Sequence, residues 1–534
     1  MKTRDKQIRK GVRAGLNYTL VCILLGLLSG VSLSQAVVDW SLTLGGSSWE
    51  QEPVICALPG GGCLVAGNTY SDDGDLEGSL GDCDIVVLKL DVNGTILWQE
   101  RFGGESTDLV SDMIILPEGG ALICGRSRST TGIMAGMHQG LFDVLAFCIS
   151  ADGMLIWSSA FGGSNSDHAN AVCHHPNGGV VLACKSNSFD GDTGGEVPSH
   201  DIWLLHLDDN GNLIQQSTLG EEIGIGGYAA YEFANDLVLG DDENIVVVGL
   251  STAMSEDYTE DGPFPDQYIA KLDSDFNVVW ETFAGGSDSE EVQVVWPIAD
   301  GSVMTGGFTW SSDFLDANPN GGEGCLGTLM KINVSGGIEW AQIQGGDDID
   351  RIFEVCPSNQ GGWLAVGISE SNSGPFMDNA GLADLWLMEF DNEGQLAYQE
   401  LMGGSQNDTG NSIAMDYQTG RIFLAGTSYS FDGDLSDSQG QSDFWLLGLD
   451  SRSHNLSSMD MPAQMHYDLG SESLLWMSES TPSGEVTVFN SFGQVVLRHT
   501  AGWSTVSFQD IPSGHYVAVA NSTGLSSSLR VFVP

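Results

Sequence analysis

Basic side chains are scarce in this chain of 534 residues, which has 18 Lys and Arg against 72 Asp and Glu and a formal net charge of −54. Nucleic acids and anionic lipid surfaces are bound through clustered Lys and Arg, so the charge excludes both as partners. Only 17% of the residues are charged, 41% are hydrophobic and 14 are Trp, which is the composition of a folded protein. The acidity therefore belongs to a folded surface.

The sequence motifs of several common enzyme classes are also absent. We find no Gly-x-Ser-x-Gly nucleophile elbow, no His-Glu-x-x-His zinc motif and no phosphate-binding loop. Many carboxylates are present, but no two of them stand out as a glycosidase pair. The sequence therefore predicts no catalytic residue, and it leaves an enzymatic role open.

Residues 1–36 have the pattern of a signal peptide. A basic segment that extends to Arg13 precedes an apolar run from Leu20 to Val31, and Ser34-Gln35-Ala36 offers small residues for cleavage. The apolar run has about 12 residues, fewer than the roughly 20 that a membrane span needs. We expect this segment to be removed on export, which leaves the mature chain without a transmembrane anchor.

A Trp followed five residues later by Gly-Gly recurs along the chain, with Tyr398 in place of Trp in one copy and a degenerate copy marked by Gln216. The clear copies begin at Trp40, Trp98, Trp157, Trp280 and Trp340. These anchors define seven units with a period of about 59 residues, longer than the roughly 40–50 of WD and kelch repeats.

Each unit contains four short apolar or alternating segments, and Asn-Gly or Asp-Gly separates the third from the fourth. Those dipeptides between apolar runs are strong hairpin signals, because both residues tolerate positive φ. Four strands repeated at this period predict an all-β fold, a seven-bladed β-propeller over residues 37–450. The first copy of the repeat consists only of a fourth strand, near Trp40, and the last copy ends after a third strand. We therefore expect the N-terminal strand to complete the last blade and close the ring.

Nine cysteines follow the signal peptide. The odd number argues against a complete disulfide framework, although disulfides are usual in exported proteins. Cys56, Cys173 and Cys356 share one first-strand position at which other units carry aliphatic residues. We therefore expect the cysteines to serve as small buried hydrophobic residues.

Three polar positions recur in nearly every unit, and strand direction places them at one rim of the propeller. A carboxylate opens the first strand, Ser or Thr ends the second, and Asp opens the third in six units. One interpretation is a hydrogen-bond network that fixes each blade on the next; the alternative is a carboxylate ring that binds cations or polar ligands. Their repetition favours the structural role, because binding sites usually break the symmetry of a repeat.

Blades 1, 3 and 7 carry Asp-Gly-Asp in the loop before the third strand, and the third-strand Asp lies 11 residues after the first Asp of that motif. This is the span of a Ca²⁺-binding loop, in which positions 1, 3 and 12 supply oxygen ligands. The alternative is a solvated turn. The candidate structural Ca²⁺ ligands are Asp73, Asp75, Glu77 and Asp84 in blade 1, Asp190, Asp192 and Asp201 in blade 3, and Asp432, Asp434 and Asp443 in blade 7.

The repeats stop after Asp450. Residues 451–461 form a polar linker, and residues 462–534 contain alternating segments with turns at Phe492-Gly493 and Ser513-Gly514. This pattern predicts a small β-sandwich.

The C-terminal segment resembles the type IX secretion sorting domains of Bacteroidetes. The resemblance rests on the strand and turn from Val486 to Val495, on the stretch from Ile511 to Val517, and on a closing strand that contains Arg530. The blades likewise resemble propeller-type repeats of secreted proteins from that group. The resemblance implies passage through the outer membrane by the type IX secretion machinery, and a location outside the cell or on the outer-membrane surface.

These observations predict a non-catalytic binding or adhesion propeller with an extracellular ligand, a glycan or a protein. The alternative is a carbohydrate-active hydrolase or lyase that uses rim carboxylates. Such an enzyme would have an asymmetric cleft with two carboxyl groups about 5–9 Å apart.

Overall fold

The structure is a computed structural model. It describes the C-terminal strands listed below and residues 37–194, 201–220, 230–253, 258–259, 262–316, 324–359, 361–373, 376–377, 379–435 and 438–450. The expected signal peptide, 1–36, and the expected linker, 451–461, lie outside the described residues. In the described part of the chain, no helix has the length and apolar character needed to cross a membrane.

Seven four-stranded antiparallel sheets form the blades of a propeller, which confirms the predicted all-β fold. In blades 1 to 3 the strands are Glu50–Ala57, Cys63–Thr69, Asp84–Leu90 and Ile96–Phe102; Asp108–Ile115, Ala121–Ser127, Asp143–Ile149 and Leu155–Phe161; and Asp167–His174, Val180–Ser186, Ile202–Leu207 and Leu213–Leu219. In blades 4 to 6 they are Glu232–Leu239, Ile245–Ser251, Asp266–Leu272 and Val278–Ala284; Glu290–Pro297, Val303–Thr309, Leu326–Ile332 and Ile338–Gln344; and Asp350–Pro357, Trp363–Ser369, Asp384–Phe390 and Leu396–Met402.

Blade 7 is completed by the N-terminal strand, as predicted. Its own strands are Asp408–Asp416, Arg421–Ser428 and Asp443–Asp450, and Val37–Leu44 is the fourth. In this last pair Leu44 lies opposite Phe444. The ends of the propeller chain therefore pair within one sheet, which leaves no unpaired strand where the ring closes.

Short elements occupy the connections between strands. Single turns of 3₁₀ helix lie at Gly74–Leu76, Gly132–Met134, Gly191–Thr193 and Phe314–Asp316, all in loops between a second and a third strand. A two-stranded ribbon pairs Tyr258–Thr259 with Gly262–Pro263 in the corresponding loop of blade 4.

The core lies between neighbouring blades, where two sheets pack face to face. One cluster joins Leu64 and Val87 of blade 1 to Ile123 and Phe147 of blade 2. The second strand of blade 1, Cys63–Thr69, is buried along its whole length because both of its faces are covered. Each fully buried aliphatic or Phe side chain contributes roughly 1.5–3 kcal/mol, so the continuous apolar runs of the second and third strands hold the ring together.

The repeated Trp and the hairpin glycine form one contact between neighbouring blades. The ring of Trp98 packs on the turn at Gly153 of the next blade, and its Nε1 donates to Ala151 O at 3.2 Å. A Cβ at Gly153 would lie 3.1 Å from that ring, and the φ of this residue is +80°. The turn therefore requires glycine both for its backbone conformation and for the approach of the Trp.

The degenerate copy in blade 3 corrects one prediction. Gln215, not Gln216, occupies the Trp position, since it lies opposite His206 as Trp98 lies opposite Lys89. The Nε2 of Gln215 donates to Asp275 O of the next blade at 3.1 Å, so the amide replaces the indole donor.

The nine cysteines of the propeller are all free, and eight of them are buried. The exception is Cys56, which is partly exposed. The prediction that they serve as small buried hydrophobic residues rather than as a disulfide framework is therefore confirmed for the described residues.

The C-terminal segment contains two sheets. A three-stranded sheet contains Gln464–Asp468, Ser473–Met477 and Thr505–Ser507, and a four-stranded sheet contains Glu485–Asn490, Val495–Thr500, Gly514–Ser522 and Leu525–Val533. The arrangement of these sheets as a β-sandwich, and the identity of the segment as a sorting domain, stay predictions.

Candidate functional site

The three recurrent polar positions lie side by side at the same end of each blade. In blade 1, Glu50 is opposite Thr69, and Thr69 is opposite Asp84. Asp108, at the start of the first strand of blade 2, occupies the same position as Glu50. The strand register thus places a carboxylate, a hydroxyl and a second carboxylate next to one another in one blade.

The first-strand carboxylate is the centre of a buried hydrogen-bond network. Asp108 is 0% exposed. Its Oδ1 accepts from Ser127 Oγ, and its Oδ2 accepts from Ser129 Oγ at 2.8 Å and from Gly104 N at 2.7 Å. Burial raises the pKa of Asp108, and these hydrogen bonds act in the opposite direction. The network ties a blade to the incoming loop, which supports the structural interpretation of this position.

The third-strand Asp faces the first-strand carboxylate of the next blade. A Cβ at Gly103 would lie 2.9 Å from Asp84 Oδ1 and 2.7 Å from Asp108 Oδ2. The first residue of the Gly-Gly pair must therefore be glycine, because the two carboxyl groups converge on the space that a side chain would fill. The contact lies between blades, where the sequence pattern alone could not place it.

In blade 1 the Asp-Gly-Asp motif contacts the chain that enters the blade. Asp73 Oδ1 accepts from Ser47 N at 2.7 Å. Asp75 N donates to Gly45 O at 2.9 Å, and Asp75 Oδ2 accepts from Gln439 Nε2 of blade 7 at 2.9 Å. Both side chains thus face toward the preceding blade.

The two other candidate ligands of blade 1 lie elsewhere. Asp84 Oδ2 accepts from Leu80 N at 2.7 Å and forms an ion pair with Arg101 Nη1 at 3.1 Å. Glu77 is exposed at the end of the short 3₁₀ helix. The structure therefore gives the four predicted ligands of this blade different surroundings.

Blades 3 and 7 repeat the contact made by Asp73. Asp190 Oδ1 accepts from Ser164 N at 2.7 Å, and Asp432 Oδ1 accepts from Ser405 N at 2.7 Å. Each first Asp of the motif thus caps a backbone N–H immediately after Gly-Gly, which is a reason for the motif that does not involve a ligand.

The second Asp of each motif contacts the first glycine of the same pair. Asp192 Oδ2 accepts from Gly162 N at 3.1 Å, and Asp434 Oδ2 accepts from Gly403 N at 3.0 Å. The third-strand residues Asp201 and Asp443 are buried. In the described residues, no group of three or more His, Cys, Asp and Glu side chains is arranged to hold a metal ion. The Ca²⁺ sites stay predictions.

A cavity of about 890 Å³ lies among the first strands of all seven blades. Four carboxylates line it: Asp112, Asp236 and Glu354 in blades 2, 4 and 6, and Asp416 at the end of the first strand of blade 7. Among its lining residues there is no Lys or Arg. At the equivalent position the odd-numbered blades carry Val54, Ala171, Val294 and Ser412.

Two of the cavity carboxylates, Asp112 and Asp236, also cap backbone groups of the following blade. Asp112 Oδ2 accepts from Val172 N at 2.8 Å, and Asp236 Oδ2 accepts from Val295 N at 2.8 Å. These N–H groups lie beside the β-bulges of the first strands, where the strand ladder is interrupted. The acidic residues at this position thus contribute to blade contacts while they also line the cavity.

Burial raises the pKa of Asp112, Asp236 and Glu354. It raises the pKa of Asp112 to about 6. For Asp236, burial and then the charge of Asp112 raise the pKa to about 8. For Glu354, burial and then the charges of both aspartates raise the pKa. Sequence reasoning missed this group, although its signal was present as an acidic residue at the same repeat position in alternate blades.

No family model matches the chain, and no curated protein matches it. Among solved structures, it is similar to the WD40 domain of Neurospora crassa Pan2, with 9% identity, a TM-score of 0.42, and coverage of 78% of this chain and 97% of that one. It is also similar to the polysaccharide lyase Uly1, with 9% identity, a TM-score of 0.41, and coverage of 78% and 99%.

A third similarity is to the extracellular domain of the one-component system BT4673 from B. thetaiotaomicron, with 9% identity and a TM-score of 0.40. It covers 94% of this chain and 59% of that one. Similarities this weak assign neither a ligand nor an activity to the chain.

Proposed function

We propose that the chain is a secreted or cell-surface, non-catalytic binding propeller that serves in adhesion or in capture of an extracellular glycan or protein. The observation that carries this proposal is the internal use of the rim carboxylates. Asp108 is fully buried and already accepts three hydrogen bonds from its surroundings. A carboxylate held in this way is not available to attack or protonate a substrate.

The alternative, a hydrolase or lyase that uses two rim carboxylates, meets the same obstacle. The facing pair Asp84 and Asp108 lies between two blades, and both residues are 0% exposed. A sugar ring flanked by two such groups needs an open cleft. The rim carboxylates therefore give no support to catalysis, and their structural role is compatible with a propeller that only binds its ligand.

The cavity wall defines the chemistry that a ligand group needs. It combines apolar side chains with Asp112, Asp236, Glu354 and Asp416, and its lining contains His174 but no Lys or Arg. Such a wall favours a group that donates hydrogen bonds or carries positive charge, such as a hydroxyl or amino group of a glycan or a basic side chain of a protein. Anionic ligands are disfavoured by the same charges.

A glycan array probed with the secreted full chain tests binding. The expected result is selective binding of neutral or amino-bearing glycans that weakens in the double variant Asp112→Asn and Asp236→Asn. A matched variant at an exposed turn, Asp152→Asn, should bind like the wild type. Equal binding by all three proteins would show that the cavity is not the site, and binding to no glycan or extracellular protein would refute the proposed function.

Export is the second part of the proposal, and it rests on the sequence patterns of residues 1–36 and 462–534. The experiment is expression of the full chain in a bacterium with a type IX secretion system and in a mutant that lacks the system. We expect the chain in the medium or on the cell surface in the first strain and in the periplasm of the second. Deletion of residues 462–534 should give the periplasmic result in both strains, and surface display without these residues would contradict the assignment.

A further inference from the structure

Three carboxylates lie around Gly403 at the junction between blades 6 and 7. A Cβ at Gly403 would lie 2.6 Å from Asp384 Oδ1 and 2.8 Å from Asp408 Oδ2. Asp434 contacts the same glycine, since its N donates to Gly403 O at 3.0 Å and its Oδ2 accepts from Gly403 N at 3.0 Å. The three side chains come from the third strand of one blade and from the first strand and the loop of the next.

One oxygen of this group has no donor. Asp384 is 1% exposed, and within the described residues no hydrogen-bond partner reaches its Oδ1, while its Oδ2 accepts from Ala380 N at 2.7 Å. This orphaned atom is the one that points toward Asp408 Oδ2 beside Gly403. An uncompensated buried oxygen that faces another carboxylate costs stability unless a proton or a cation lies between them.

The same arrangement recurs where the ring closes, between blades 7 and 1. Asp443 is 1% exposed, its Oδ1 has no partner in the described structure, and this atom and Glu50 Oε2 converge on Gly45. Asp75 N donates to Gly45 O at 2.9 Å, as Asp434 N does to Gly403 O. The charge of Arg101 reaches Glu50 and lowers its pKa, although burial has the larger effect and raises it.

At other junctions, the protein's own side chains reduce the repulsion between the third-strand carboxylate and the first-strand carboxylate of the next blade. Between blades 1 and 2, Arg101 Nη1 forms an ion pair with Oδ2 of Asp84, the equivalent of Asp384, although Asp84 Oδ1 has no hydrogen-bond partner in the described structure. Between blades 2 and 3, His138 Nδ1 lies 3.0 Å from Oδ2 of the equivalent Asp143, whose Oδ1 likewise has no partner there. Between blades 5 and 6, Leu326 replaces the Asp, and its Cδ2 lies beside Gly345 where a carboxylate oxygen lies in the other junctions. The chain thus places a nitrogen-bearing side chain beside the third-strand carboxylate at two junctions, and it replaces the carboxylate by an apolar side chain at a third. Neither solution is present in Asp384 or Asp443, which form none of the ion pairs found in the described structure.

We propose that these two junctions each bind one Ca²⁺ ion, with Asp384, Asp408 and Asp434 as ligands at one and Asp443, Glu50 and Asp75 at the other. A single shared proton would leave two negative charges in each group, whereas a divalent cation compensates two of the three. Oxygen-only ligand sets of irregular geometry select Ca²⁺ over Mg²⁺, which needs a near-octahedral shell. This grouping differs from the loop sites predicted by spacing, because Asp75 joins the preceding blade rather than Asp84.

The third carboxylate of each group is exposed to solvent, and the ion enters from that side. Asp434 and Asp75 are exposed, whereas the other ligands are buried. The three carboxyl groups are not preassembled as a ligand set, so the exposed one must rotate toward the buried pair as the ion binds. Water completes the shell on that side.

Calcium binding to the secreted full chain, measured by equilibrium dialysis and by thermal unfolding at constant ionic strength, tests the proposal. We expect saturable binding of two ions in the submillimolar to millimolar range typical of extracellular modules, a rise of a few degrees in Tm, and a weaker response to Mg²⁺. Asp384→Asn should bind one ion, and Asp434→Asn, altered only at the exposed ligand, provides the same test if the buried variant does not fold.

A control variant separates this grouping from the loop sites. Glu77→Gln should bind two ions with unchanged affinity, because Glu77 contributes to neither junction. Loss of one ion in Glu77→Gln, or undiminished binding in both Asp384→Asn and Asp434→Asn, would overturn the assignment. Absence of saturable binding up to about 10 mM Ca²⁺, roughly ten times the weakest extracellular affinities, would also overturn it. None of these outcomes depends on whether the propeller binds a glycan or a protein, so the two proposals can fail separately.

Discussion

Replacement of Asp108 by alanine tests whether the repeated first-strand carboxylate holds the blades together. The substitution removes the acceptor for Ser127 Oγ, Ser129 Oγ and Gly104 N in a site that is 0% exposed. The two hydroxyls can rotate toward other acceptors, but the backbone N–H of Gly104 cannot. The change therefore leaves at least one buried donor without a partner.

The magnitude follows from these contacts. A buried unsatisfied donor costs about 1–3 kcal/mol, and each hydrogen bond to a charged acceptor contributes about 1.5–3 kcal/mol. With one backbone donor orphaned and two hydroxyl bonds partly replaced, we expect Asp108→Ala to lower the free energy of unfolding by about 3–5 kcal/mol. This is a large part of the roughly 5–15 kcal/mol available to a folded domain. Asp108→Asn keeps one acceptor oxygen and should cost less.

Equilibrium unfolding in urea, followed by Trp fluorescence, measures the effect as a shift in midpoint at constant m-value. Asp152→Ala, at an exposed turn of the same blade, removes the same charge and should leave the midpoint unchanged. A double-mutant cycle with Ser129→Ala should give a coupling free energy of about 1–3 kcal/mol. A loss for Asp108→Ala within about 0.5 kcal/mol of the control would refute the structural role and favour the alternative of a ligand-binding carboxylate ring.

Three further substitutions probe other blade contacts. Trp157→Ala removes the hydrogen bond from Nε1 to Asp209 O, 2.9 Å long, and the packing of the indole on the next blade. We expect the free energy of unfolding, measured in urea, to fall by about 2–4 kcal/mol. An unfolding midpoint equal to that of the wild type would contradict the importance of this contact. Gly403→Ala places a Cβ 2.6 Å from Asp384 Oδ1, so we expect a Tm lowered by several degrees, and an unchanged Tm would show that the carboxylates can move apart. Burial raises the pKa of Asp236 from 3.8 to about 8, so its contribution to stability is fully present below about pH 4 and is lost as pH rises to about 8. Asp236→Asn should flatten the fall in Tm between about pH 4 and 8, and an unaltered pH profile would exclude this group as its source.

The propeller could be predicted from the sequence because its blade contacts use the residues that repeat. Trp98 and Gly153 lie on different blades and contact each other. The residues that join the blades therefore recur in nearly every copy of the repeat. The closing strand could be predicted for the same reason, since the first copy lacks three strands and the last lacks one. The prediction was wrong in detail in blade 3. Gln215 was mistaken for its neighbour because the fourth strand of this blade has no Trp, and a shift of one residue in a strand exchanges its two faces.

The surroundings of the acidic residues could not be predicted in the same way. Spacing in the sequence relates Asp75 to Asp84, 11 residues after the start of one motif, and says nothing about contacts with another blade. In the structure the loop that carries Asp75 reaches the preceding blade, where Gln439 donates to it across a separation of 364 residues. Inter-blade contacts of loops depend on how the ring closes, and a local pattern carries no information about that.

The scarcity of Lys and Arg has a structural counterpart in how this chain stabilises its carboxylates. With 18 basic residues for 72 acidic ones, ion pairs cannot compensate most of the charge, and backbone N–H groups take their place. Gly104 N donates to Asp108 within one segment, Ser47 N donates to Asp73 across 26 residues, and Val172 N donates to Asp112 of the neighbouring blade. A backbone dipole neutralises less charge than a cation does, and burial raises the pKa of Asp108 and Asp112 in spite of their backbone donors. Any carboxylate oxygen that lacks even a backbone donor, as at Asp384 and Asp443, is then where an added cation changes the stability of the ring most.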